Sequence, residues 1–251
     1  MIRIRDAIAT LATLSVAGTP IAAIARDSDA WTFSVTPYVW AASVNAEVSD
    51  SGPPPSASVI TDNTFEDVLD KFDGALMIHA EGQGDHFGML TDFLFLGLSQ
   101  DRERPRLRSE TDLDARLFDL AAVWSPGDDR FNGWDLIGGL RYIDADFTAS
   151  IIPTDTTLQT RSLKVSKTYS DFLYGARYTW RTNDRWSFSL RGDGSSGSTN
   201  GTWSASAIAQ YHMNVGQWVF GYRYLDADFG EGDIDTRVTL NGPIVGYGFT
   251  F

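Results

Sequence analysis

From Val245 to the end of the chain the odd positions are apolar or aromatic (Val245, Tyr247, Phe249, Phe251) and the even ones small or polar (Gly246, Gly248, Thr250). A repeat of two gives a β-strand one greasy face and one that is not. The same alternation recurs near 32–43, 74–83, 87–98, 113–124, 134–145, 169–180, 186–194, 202–211, 218–228 and 239–251. Most of these segments are close to the roughly 9–11 residues that a tilted strand needs to cross a bilayer. Between them tight connections (82–86, 125–133, 181–185, 212–217) alternate with longer polar ones (44–73, 99–112, 146–168, 195–201, 229–238). The pattern predicts an all-β fold, a closed antiparallel up-and-down transmembrane β-barrel of about ten strands, with short periplasmic turns and long extracellular loops. Both termini then fall on the short-turn side.

The aromatic residues sharpen this expectation. Trp31, Phe87, Trp124, Trp134, Trp180, Trp186, Tyr211, Trp218 and Phe251 all fall at the strand end next to a short turn or a terminus. That clustering marks an interfacial girdle. Taking these residues as outward-facing fixes the parity of every strand. Leu76, Phe93, Phe118, Leu120, Leu140, Phe172, Leu190 and Phe220 then face lipid, and Thr36, His79, Asp171, Ser206 and Gln210 face a polar lumen. At one depth in that lumen the same parity gathers acids and arginines: Glu81, Asp92, Asp119, Arg141, Arg177, Arg191 and Arg223. A Gly-x-Arg-Tyr unit recurs at 139–142, 175–178 and 221–224, and its glycine is expected to leave room for the guanidinium.

Composition narrows the function classes. The net charge of −13 leaves no basic surplus to neutralise phosphates, so no nucleic-acid partner is expected. The sequence contains no cysteine, which excludes disulfides and thiolate metal sites. Residues 1–25 combine Arg3 and Arg5, an apolar stretch and a small-x-small site at 23–25, the pattern of a cleaved secretory signal. The barrel domain is accordingly expected over 26–251.

Several constellations carry chemistry. The lumenal Asp/Arg layer fits either a charged constriction for ions or small solutes or a salt-bridged plug, since buried charges must pair. Thr64 with Asp67 forms a capping box, and Phe65, Val68, Leu69 and Phe72 share one helical face. A short amphipathic helix is expected over 65–72, as a lid on the barrel mouth or packed on its own loop. Arg102, Arg104, Arg106 and Arg108 alternate, so an extended chain aligns them for contact with lipopolysaccharide phosphates unless neighbouring acids neutralise them. Asp226, Asp228, Glu231, Asp233 and Asp235 form either a site for a divalent cation or a solvated acidic rim. No cofactor is expected. The three histidines, His79, His86 and His212, lie in the lumen or at short turns, and none is at the outer mouth.

The stretches TPYVW (36–40), TFEDVLD (64–70) and DFLFLGL (92–98) resemble a single-chain family of Gram-negative outer-membrane β-barrel proteins. The closing segment is similar to the final strand of such barrels, and the resemblance implies that Tyr247, Phe249 and Phe251 serve as an assembly signal read by the barrel-assembly machinery. It implies residence in the cell outer membrane, with lipid and lipopolysaccharide as partners, and supplies no catalytic residues. Barrel enzymes of that membrane keep a histidine at the extracellular rim, so a non-enzymatic structural or surface-interaction role with leak permeability is the leading expectation. A narrow pore for ions or small solutes comes second, and a rim hydrolase acting on lipid A or peptides third.

Overall fold

The computed structural model describes residues 31–50, 59–69, 72–104, 107–129, 131–153, 161–231 and 234–251. The signal segment expected over 1–25 lies outside them. Along the chain run β1 (Thr32–Trp40), β2 (Ser43–Asp50), β3 (Val59–Asn63), α1 (Phe65–Leu69), β4 (Phe72–Gln83), β5 (Phe87–Arg104), β6 (Leu107–Trp124), β7 (Gly133–Pro153), β8 (Arg161–Arg181), β9 (Trp186–Gly197), β10 (Gly201–His212), β11 (Gln217–Glu231) and β12 (Ile234–Thr250). Consecutive strands from β4 to β12 pair antiparallel, β1 pairs with β4, and β1 pairs with β12 to close the ring. β1 and β2 occupy one place in the wall, because β12 pairs with β1 through 244–250 and with β2 through 234–241. The result is a closed ten-stranded barrel with β3 as an added strand outside the ring order.

Alternation survives folding. On β1 the exposed positions are Phe33, Val35, Pro37 and Val39, while Thr36 and Trp40 are buried. Leu76, Leu120, Leu140, Phe172, Leu190, Phe220 and Val245 are likewise exposed. So broad an apolar belt on the outside of a closed sheet is the surface that hydrocarbon covers. At the short-turn end Phe87 pairs with Trp124, Trp186 with Tyr211 and Trp218 with Tyr247. The Trp186 and Tyr211 rings lie 5.0 Å apart and those of Trp218 and Tyr247 5.2 Å apart.

Two features depart from the sequence pattern. Most of the 99–112 and 146–168 connections, read as loops, are paired strand: β5 and β6 are 18 residues long, β7 and β8 are 21. A bilayer crossing uses about half of a 21-residue strand, so β7 and β8 continue for about ten residues beyond it. The lumen, expected to be polar, carries an apolar layer in its long-hairpin half, built by Trp40, Met77, Leu94, Leu117, Leu225 and Ile244. A second apolar cluster, Leu90, Ala121, Val123, Ile137 and Leu173, lines β5 to β8 nearer the short turns. A barrel this narrow is filled by side chains, and apolar ones leave no lone pairs to satisfy.

Candidate functional site

The seven charges picked out by parity all lie in the lumen, Asp92 and Asp119 between these apolar clusters and Glu81 and Arg177 nearer the short turns. Asp119 and Arg141 are register partners on β6 and β7, so neighbouring strands hold them side by side on the inner face. Arg141 donates Nε to Asp119 Oδ1 and Nη2 to Asp119 Oδ2, both at 2.8 Å. Its Nη2 also reaches Asp193 Oδ1 at 2.8 Å, and Nη1 donates to Thr202 Oγ1 at 2.7 Å. The Arg141 and Asp119 side chains are 0% exposed. Charges so enclosed are tolerated because the planar guanidinium satisfies both carboxylates at once. The chain of bonds continues from Thr202 to Ser195 at 2.7 Å, and Ser195 and Thr199 both donate to Asp171.

A second arginine crosses the lumen. Arg177 on β8 donates Nη1 and Nη2 to the two oxygens of Glu81 on β4, at 2.8 and 2.5 Å. Its Nε donates to Asp135 Oδ2 at 2.7 Å. Asp135 accepts from Ser125 at 2.5 Å, and Ser125 accepts from Gln83 at 2.9 Å. Beside this, Arg223 on β11 sits 3.6 Å from Asp92 on β5 and 3.4 Å from the Tyr38 hydroxyl, which itself donates to Asp92 at 2.7 Å. His79 lies between the two acids, 3.5 Å from Glu81 through Nε2 and 3.5 Å from Asp92 through Nδ1.

Arg191 is the loosest member. Its Nε is 2.9 Å from Asp193, while Nη2 stands 4.0 Å from Asp119 and has no hydrogen-bond partner among the described residues. Arg177, Arg191, Arg223 and His79 border a cavity of ≈ 140 Å³. Asp135, Asp193 and Tyr38 were not singled out from the sequence, though the same parity reaches them. Asp135 follows the girdle residue Trp134, Asp193 sits two places after Arg191, and Tyr38 two after Thr36.

The glycines of the repeated Gly-x-Arg-Tyr unit do something other than make room for arginine. A Cβ at Gly139 would stand 2.1 Å from the Leu120 carbonyl oxygen, and one at Gly175 would stand 2.6 Å from that of Gly192. Their neighbours are the backbones of adjacent strands, so these glycines allow close strand approach.

The other candidate residues lie apart from the lumen. Arg102 and Arg104 on β5 and Arg108 on β6 are in the paired hairpin, with their side chains outside the described residues, as is Arg106. At the acidic rim Arg237 lies 3.7 Å from Asp226 and 3.0 Å from Asp228, and Thr239 donates to Asp226 at 2.8 Å. Asp235 is half-buried, while Asp233 and the Glu231 side chain are outside the described residues. Among the described residues no group of three or more His, Asp or Glu is placed to hold a metal ion. The helix forms over Phe65–Leu69, shorter than expected, with the capping box in place: Thr64 N donates to Asp67 Oδ2 at 2.9 Å and Asp67 N to Thr64 Oγ1 at 3.3 Å. It packs beside β2 and β3 with Val68 buried, and Phe65 and Val68 share a cavity with residues of β1 and β4.

No known family profile matches the chain, and no curated protein is detectably similar in sequence. The fold does have solved counterparts. The outer-membrane protease OmpT of Escherichia coli superposes with a TM-score of 0.54 at 8% identity, over 91% of this chain and 99% of that one. Ail of Yersinia pestis, in complex with the heparin analogue sucrose octasulfate, gives 0.38 at 10% identity over 89% and 99%. A FadL homologue of Pseudomonas aeruginosa gives 0.35 at 12% over 88% and 90%. The OmpT superposition, with the closed ten-stranded ring, gives this chain the architecture of Gram-negative outer-membrane β-barrels.

Proposed function

We propose that this chain is a closed, non-enzymatic barrel of the Gram-negative outer membrane. In this reading it is exported through a cleaved signal at 1–25, with its short turns in the periplasm and its long hairpins outside. It acts as a structural or surface-interaction protein. One observation carries the reading: Arg177 spans the lumen from β8 to Glu81 on β4, and Arg223 from β11 approaches Asp92 on β5. Two guanidinium groups held by acids of opposite walls, below an apolar layer, narrow the lumen, and this obstruction supports the closed reading. The parts free to meet a partner are the projecting ends of β5 to β8. The acidic clusters on the wall outside are already held by Arg116 and Arg237. A rim hydrolase is disfavoured because His86 and His212 are at the short turns and His79 is enclosed in the lumen, away from the outer mouth, so the side chain best suited to proton transfer near neutral pH is missing there.

The narrow pore keeps one observation in its favour, the ≈ 140 Å³ cavity beside the incompletely bonded Arg191. Single-channel recording on the refolded protein separates the two. The closed barrel gives silence in the wild type; steady conductance that changes with Arg191→Ala or Arg223→Ala would replace it with the pore.

A further inference from the structure

The barrel wall has one weak seam. β1 and β4 pair from Thr32↔Gln83 to Pro37↔Ile78 and no further. Pro37 offers no N–H to the ladder. Beyond it the Trp40 N–H, which a continuing ladder would direct to a carbonyl of β4, is bonded to the thioether sulfur of Met77 at 3.2 Å. A thioether is a poor acceptor on a flexible side chain. Past this point β2 pairs with β12 and with β3 rather than with β4, and α1 covers the gap.

A cavity of ≈ 210 Å³ occupies the seam. Its lining includes Trp40, Met77 and Leu94 of the lumenal apolar layer, Val68 of α1, and the exposed Val39 and Ala75. Val39 is 63% exposed on the belt that hydrocarbon covers. The cavity thus joins the barrel interior to the membrane without crossing a charged group. Cavities of about 150 Å³ with such linings stay dry and take up small hydrocarbons.

We infer that this seam is a binding site for an alkyl chain, entered sideways from the membrane. Its occupant is the end of a hydrocarbon chain, from either a neighbouring lipid or a free amphiphile. Met77 is the movable element, since displacing its sulfur costs one weak hydrogen bond and its three rotatable side-chain bonds let it fit a guest. The inference goes beyond the closed-lumen reading and is independent of it, because the seam lies above the ion pairs and a conducting lumen would leave it intact.

The test uses the full chain refolded in bilayers, with bromine on the hydrocarbon as a contact quencher of indole emission. The Trp40 signal is the difference between the wild type and Trp40→Phe. In one arm a phospholipid brominated near its chain ends forms the bilayer; in the other a brominated long-chain alkanol is titrated into an unbrominated bilayer. Loss of the Trp40 signal in the first arm assigns the site to lipid, and saturable loss in the second assigns it to a free amphiphile. Ala75→Phe, which puts a ring at the cavity lining, is expected to weaken either effect by about fivefold or more, while Ala122→Phe, elsewhere on the exposed face, leaves it unchanged. Trp40 emission untouched in both arms, or quenching equally strong in Ala75→Phe with native heat-modifiable mobility on gels, overturns the inference.

Discussion

Arg177 and Glu81 stand 96 positions apart in sequence and face each other across the barrel interior through two parallel hydrogen bonds. Each group is mostly removed from water, so its charge depends on the other. Arg177→Met alone leaves Glu81 with His79 as its remaining partner, 3.5 Å away, and Glu81→Met alone leaves Arg177 with Asp135. Both single changes are expected to destabilise, and the double change to cost less than their sum, with a coupling of about 0.5–3 kcal/mol. Urea unfolding of the four proteins in lipid vesicles measures it. Strict additivity would show that the pair is a contact without energetic consequence.

Arg141 presents a harder case, because it is fully enclosed and serves Asp119, Asp193 and Thr202 together. Arg141→Ala leaves Asp119 buried without its main partner and is expected to cost about 3–5 kcal/mol. Arg141→Lys should recover little of this, since an ammonium cannot reproduce a fork that bonds both oxygens of Asp119. A lysine variant as stable as the wild type to urea would mean that charge alone, not geometry, holds the site.

How far the sequence reached depends on which force left a trace in it. Trp134 and its fellow girdle residues show the favourable case: each fixes which way its whole strand turns, and that parity placed the seven selected charges in the lumen, while Asp135 and Asp193, which it also reaches, were passed over. The apolar layer stayed hidden because Met77 and Leu94 sit next to outward apolar residues, so the alternation blurs into a continuous greasy run. The strand extensions of β7 and β8 were read as loops although Ile143, Ala145, Phe147, Ala149 and Ile151 alternate with Asp144, Asp146, Thr148 and Ser150, because each strand was cut at the length a bilayer crossing needs. Nothing in Ala41 and Ala42 announces that the first strand breaks there, for the break is set by pairing with β12 and β3, far along the chain. Asp67 marked the start of α1 through its bond to Thr64, whereas no comparable signal marked its end.

Gly138 and Gly139 are neighbours with opposite surroundings. A Cβ at Gly138 meets nothing within 4 Å, while one at Gly139 would lie 2.1 Å from the Leu120 oxygen and 2.4 Å from the Ala121 Cα. Gly139→Ala must push β6 away from β7 beside the Asp119–Arg141 pair, at a cost of about 1–3 kcal/mol. Gly138→Ala is expected to stay within about 0.5 kcal/mol of the wild type. Unfolding midpoints that move equally in the two variants would remove close strand approach as the reason for the glycine.

Phe251 closes the ring through its backbone, donating to the Phe33 oxygen at 2.8 Å and accepting from the Phe33 N–H at 3.2 Å. Its ring does not share in this, being 69% exposed at the short-turn end. Backbone and ring can therefore be separated. Phe251→Ala keeps both hydrogen bonds, so the protein refolded in vitro should unfold within about 1 kcal/mol of the wild type. Deleting 249–251 also removes the Val35↔Phe249 and Ser34↔Thr250 pairings and should destabilise the refolded barrel outright. If the ring serves recognition during assembly, Phe251→Ala should still reduce the amount of folded protein recovered from cell envelopes by several-fold, read from its heat-modifiable mobility on gels. Normal recovery of that variant would strip the terminal aromatic of any role as an assembly signal and leave it as one more residue of the girdle.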